Sequence, residues 1–190
     1  MVEGDAEWFV ETLQKAEAQA ADARRTLSVD DVARRLHKAF KGATKGYYAR
    51  QIRGWAQRGL VDHILLAGTG RTAGRMFDAD APYRAALLSY LTALGMKPDQ
   101  MRPFVGMLDN NAFQPKPLDR VRANDATFMV VELDDAGEYF CGGIQAAPAP
   151  FGFARAPAAL VVDLRELFSP LVSLEREERR FADSSAPRST

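Results

Sequence analysis

The chain has 190 residues, 47% of them hydrophobic, which is enough for one ordinary domain or two small ones with a buried core. The single cysteine, Cys141, excludes an internal disulfide framework, and two histidines, His37 and His63, are too few to complete a Cys/His zinc site. No run reaches the about 18 continuous apolar residues of a membrane span, and the acidic start MVEGDAEWFVETLQ lacks a secretory pattern. The expectation is a cytoplasmic, nucleoid-associated protein without membrane, metal or other cofactor.

The 25 basic and 25 acidic side chains cancel, but they are unevenly placed. Residues 1–23 carry six acidic side chains and one basic, residues 24–84 thirteen basic and five acidic, and residues 85–190 eleven basic and fourteen acidic. A basic tract between acidic flanks points to a polyanionic partner. A solvated basic face is the plainer alternative.

In chain order, residues 1–25 read as an acidic helix with a thin, mostly alanine stripe through Trp8, Leu13, Ala16 and Ala20. Ser28 with Asp31 three residues on marks a helix start, and Val29, Val32, Ala33 and Leu36 carry its apolar face to about Phe40. A glycine-containing loop then leads to a helix over 45–58 with the stripe Tyr48, Ile52, Trp55 and Ala56, closed by Gly59. Extended residues from Leu60, a glycine-rich tip and Gly74-Arg75-Met76-Phe77 describe a hairpin wing over 68–77. The glycines follow GxGxxxG and no Gly-Lys-Ser/Thr accompanies them, so a nucleotide loop is not indicated.

Two further helices are expected, Asp80 to Gly95 and Lys97 to Leu108, followed by a linker over 109–119. Residues 120–175 change period. Ala126–Leu133, Glu138–Ile144 and Ala159–Leu164 read as strands, and Arg165 to about Leu174 as a helix interrupted or kinked near Pro170. Residues 176–190 read as a flexible tail. The predicted class is α+β: a mostly helical winged helix-turn-helix domain at 26–108, then a small β-rich module with one helix.

The most basic tract overlies the second helix and the hairpin. A helix-turn-helix sets its second helix in the major groove while a wing tip touches the backbone. Lys45, Tyr47, Tyr48, Arg50, Gln51 and Arg53 from the helix, with Arg71, Thr72 and Arg75 from the wing, are the candidate DNA contacts. Arginine suits guanine, glutamine suits adenine, and tyrosine hydroxyls suit phosphate.

The segment Ile52-Arg53-Gly54-Trp55-Ala56-Gln57-Arg58-Gly59-Leu60-Val61 resembles the end of the recognition helix in MerR-like winged helix-turn-helix regulators. Gly74-Arg75-Met76-Phe77 resembles that family's wing return, and residues 80–95 with 96–108 resemble its following helix pair. The resemblance covers about 80 residues and implies that Arg53 and Arg75 contact phosphates. This chain departs from the family in its longer first loop, in Gly54 where the family usually has tyrosine, and in lacking the long dimerisation coiled coil and the sensing cysteines.

Ile52, Trp55 and Leu60 are core candidates because they lie on the stripe, and Tyr47 is the better contact candidate of the tyrosine pair. Cys141 reads as a small buried hydrophobe, and Asp134 and Asp135 as hairpin-turn residues. With no nucleophile–base or phosphate-cradle set, an enzyme is not expected. The expected function is a sequence-specific double-stranded DNA-binding transcriptional regulator, a homodimer whose residues 120–175 dimerise, bind an effector, or contact RNA polymerase or another protein. The alternative is a protein-interaction adaptor on the same scaffold.

Overall fold

A computed structural model describes residues 26–62, 64–65, 74–108, 115–133, 136, 139–148 and 158–185. The expected acidic helix over 1–25, the wing tip with Arg71 and Thr72, and the Phe/Pro-rich loop over 149–157 lie outside the described residues. The class is α+β, with helices around two small antiparallel sheets.

β1 (Leu27–Ser28) runs directly into α1 (Val29–Ala39). The junction is a capping box: Ser28 Oγ accepts from the Asp31 amide at 3.1 Å, and Asp31 Oδ2 accepts from the Ser28 amide at 3.1 Å. After a loop in which His37 Nδ1 donates to the Ala43 carbonyl at 2.9 Å, Thr44 caps α2 (Lys45–Gln57) by accepting from the Tyr47 amide at 3.2 Å. α2 ends in a Schellman motif at Gly59, whose φ of 64° is the left-handed conformation that glycine adopts without strain. There the Leu60 amide donates to the Trp55 carbonyl at 2.9 Å and the Gly59 amide to Ala56 at 3.2 Å.

β2 (Ile64–Leu65) and β3 (Arg75–Phe77) pair antiparallel, and β3 also pairs with β1, so the order is β1-β3-β2. Leu27 stands opposite Phe77, and Ile64 opposite Met76. α3 (Ala81–Ala93) follows with Pro82 in its first turn. It is apolar nearly all round and accordingly central, burying Tyr83, Leu87, Leu88 and Leu91 completely. Its buried Arg84 donates from Nη1 to both carboxylate oxygens of Asp78, at 2.7 and 2.8 Å. α4 (Pro98–Leu108) packs on α3.

The linker expected over 109–119 is helical at its end. α5 (Pro117–Arg122) starts on a proline, buries Leu118 and Val121, and closes with Asn124 at φ 66°. Pro117 opens this helix because its missing N–H is one that the first turn leaves unpaired in any case. β4 (Phe128–Leu133), β5 (Tyr139–Gln145) and β6 (Ala158–Asp163) form the second sheet in the order β5-β4-β6. Met129, Val131, Ile144 and Val162 join the core. The buried residues on both sides of 109–119 form one continuous cluster, from Val32 on α1 to Val172 near the chain's end.

α6 (Leu164–Ser185) corrects two expectations: it is not interrupted at Pro170, and it continues through residues 176–185, which were expected as tail. Asp163 Oδ1 caps its start, accepting from the amides of Arg165 at 2.9 Å and Glu166 at 3.2 Å. Pro170 has no N–H for the Glu166 carbonyl four residues back, but Ser169 Oγ donates to that carbonyl at 3.2 Å. The helix therefore runs through. Its apolar stripe (Leu164, Phe168, Leu171, Val172) continues as Glu175 and Glu178, which bond arginines of α5 and α1.

Candidate nucleic-acid interface

α2 divides by its 3.6-residue period. Tyr48, Ala49, Ile52, Trp55 and Ala56 face the core, and full burial of Ile52 fixes the roll of the helix. The opposite face presents Tyr47, Arg50, Arg53, Gln57 and Arg58 to solvent, with Gln51 and Gly54 half-buried among them. Three arginines within nine residues, unopposed on that face by any acid of α2, give a strongly cationic surface.

The expected contacts separate accordingly. Tyr47 is 40% exposed and Tyr48 only 6%. Tyr48 is thus a core residue and not an interface residue, since its period places it with Ile52 and Trp55. Burial pushes its phenol above the ordinary value of 10.0, with Tyr47 adding to the shift. The two rings meet edge to face, centroids 5.8 Å apart. Gln51 Nε2 donates to the Tyr47 hydroxyl at 3.1 Å. Lys45 is exposed but engaged, its Nζ 3.0 Å from Asp30 Oδ2 of α1.

Arg53 on α2 and Arg75 on β3 are brought together although 22 residues apart, the Arg75 Nη1 donating to the Arg53 main-chain carbonyl at 3.3 Å. This bond ties β3 to α2. Gln57, Arg58 and Gly54 belong to the same surface and were not among the expected contacts. Continuing the three- and four-residue spacing from Tyr47 and Arg50 one more turn would have found them. At Gly54 an added Cβ would meet only the Arg58 Nη1, at 3.4 Å.

The rear of α2 is secured by Arg102 of α4, whose guanidinium donates to the carbonyls of Arg58 at 2.8 Å and Gly59 at 3.2 Å. That satisfies orphan carbonyls at the helix end. α6 braces the first helix, with Arg35 Nη2 2.7 Å from Glu178 Oε2. A second arginine node joins the halves of the chain. Arg122 of α5 bonds Asp80 at the start of α3 at 2.6 Å, lies 3.4 Å from Glu175 of α6, and stacks 4.8 Å over the Tyr83 ring. Burial works against its charge, but the Asp80 hydrogen bond and the carboxylates of Asp80 and Glu175 outweigh it and hold its pKa above the usual arginine value.

A cleft beside the end of α2, lined by Gly59, Leu60, Asp62, Arg84, Arg102 and Val105, has a volume of about 140 Å³, below the roughly 300–1,000 Å³ of usual small-molecule sites. Among the described residues no group of three or more His, Cys, Asp or Glu could hold a metal ion, and no helix is long and apolar enough to cross a membrane. No known family model matches the chain, and no curated protein matches it.

Proposed function

We propose that this chain is a sequence-specific double-stranded DNA-binding protein of winged helix-turn-helix type, with α2 as the helix that enters the major groove and β2–β3 as the wing. The observation that carries this reading is the Arg75–Arg53 bond, which sets a wing arginine beside a helix whose outer face holds Arg50, Arg53 and Arg58. A helix with one fully buried face and one cationic face, rigidly backed, is what major-groove docking requires. The order β1, α1, α2, β2, β3, with β3 between β1 and β2, agrees with that architecture and with the resemblance to MerR-like regulators. Arg53 and Arg75 take the backbone phosphates, and Arg50 reads base edges. The protein acts as a homodimeric transcriptional regulator, with residues 120–175 as the part that dimerises, binds an effector or contacts another protein.

Fluorescence-anisotropy titration of the full chain on random-pool duplex DNA at two salt concentrations, with in vitro selection on the same pool, tests the reading. A selected motif with two-fold symmetry and a salt slope of several units is the expected result. No binding at low salt overturns it.

A further inference from the structure

At the exposed start of α2 one side-chain pair is fixed before any partner arrives. Tyr47 leans edge-on against Tyr48, at 75° between ring planes, and Tyr48 is itself immobilised in the core. Gln51, one turn along, donates from Nε2 to the Tyr47 hydroxyl at 3.1 Å. A surface glutamine ordinarily samples many rotamers, and ordering it on binding costs entropy. Here a chain of contacts from the core through Tyr48 and Tyr47 has already ordered it.

The hydrogen-bond inventory then narrows what Gln51 can recognise. A side-chain amide has two N–H donors and one carbonyl oxygen. Tyr47 takes one N–H, which leaves one N–H and Oε1 for a partner. In the major groove this donor–acceptor pair matches adenine, which offers N7 as acceptor and the N6 amino group as donor. Guanine offers two acceptors there and leaves Oε1 facing another oxygen.

We infer that Tyr47 is a positioning residue that holds Gln51 as an adenine reader, so that the target of this protein carries an obligatory A·T pair facing the start of α2. This rests on the reading of α2 as the major-groove helix. An i, i+4 pair that merely supports the helix would leave base preference untouched, and that difference makes the two roles separable.

The test uses the full chain and duplexes carrying the selected motif, with each position replaced in turn. For the wild-type protein one A·T to G·C replacement should weaken binding by roughly tenfold or more, and Gln51→Ala should abolish that sensitivity. Tyr47→Phe keeps the ring and its contact with Tyr48 but lacks the oxygen. It should reduce discrimination at that one position to below about threefold, with the salt slope unchanged because no charge is lost and with an unchanged thermal midpoint. Tyr47→Phe/Gln51→Ala should discriminate no less than Gln51→Ala alone. Full discrimination in Tyr47→Phe, or a motif in which no A·T position responds to Gln51→Ala, overturns the inference while the DNA-binding reading stands. Absence of duplex binding by the wild-type chain removes both.

Discussion

The guanidinium of Arg75 on β3 donates to the main-chain carbonyl of Arg53 on α2, 3.3 Å away. Because the acceptor is backbone, the bond survives any side-chain change at position 53 and is lost on truncation at position 75. Arg53→Ala and Arg75→Ala should each lower the salt slope of DNA binding by about one unit, uniformly across sequences. Arg75→Ala should cost more affinity, because it also releases the wing from the helix. Equal losses in anisotropy titrations would show that the wing is held by other contacts.

Gly54 sits mid-helix among Arg50, Arg53, Gln57 and Arg58, and the space above it holds only the flexible end of Arg58. The fold gives no packing reason for a glycine there. Gly54→Ala should therefore raise stability by about 0.5–1 kcal/mol, read from urea unfolding. On the proposed interface the gap lets a partner backbone approach closely. Gly54→Leu, which fills that gap with a bulky side chain, should weaken DNA binding at every sequence. Unchanged affinity in Gly54→Leu would move the interface away from the centre of this face.

Arg122 connects three elements through Asp80, Glu175 and the Tyr83 ring, and its own carbonyl accepts from Arg176 Nη2 at 3.1 Å. Arg122→Ala strands two carboxylates in a partly buried site and should cost about 2–4 kcal/mol. Arg122→Lys restores the charge but not the planar stack and fork, and should recover less than half of that. A loss below 1 kcal/mol in chemical denaturation would show that solvent already screens the node.

Much of the first half was legible in the sequence because its signals are local. Ser28 and Asp31, and Gly59, are chemical markers of helix ends, and the stripe Ile52, Trp55, Ala56 gave the buried face of α2. Tyr48 was misplaced among the contacts although its spacing from Ile52 and Trp55 is the core's own. In the second half the deciding interactions are long-range. Pro170 reads as a possible break, yet the helix continues, and Ser169 donates to the Glu166 carbonyl that the ring leaves without an N–H. The charges after Leu174 read as a solvated tail until Glu178 meets Arg35, 143 residues earlier, and Glu175 meets Arg122. The partner that turns a charged helix end into a packed one is invisible to periodicity. The same holds for Arg122 itself, which in sequence is one basic residue after a proline-rich stretch.

The capping box at α1 also sets an acid limit on stability. The Ser28 hydroxyl donates to Asp31 Oδ2 at 2.7 Å, and this bond is the first reason that Asp31 titrates below its ordinary value of 3.8. Burial pushes the other way, while the Ser28 amide and the charges of Arg34 and Arg35 add to the lowering. A carboxyl whose pKa is depressed in the folded state contributes stability that is complete above its unfolded value and is lost as pH falls through the folded one. The contribution of Asp31 should thus be whole at neutral pH and disappear below about pH 4. Asp31→Asn should destabilise the protein near pH 7 and flatten the acid limb of a stability–pH curve. Ser28→Ala should cost about 1 kcal/mol at pH 7 through loss of the cap and should shift that limb toward higher pH, since the carboxylate loses its strongest donor. An acid limb in Asp31→Asn as steep as in the wild type would show that Asp31 does not set the acid sensitivity.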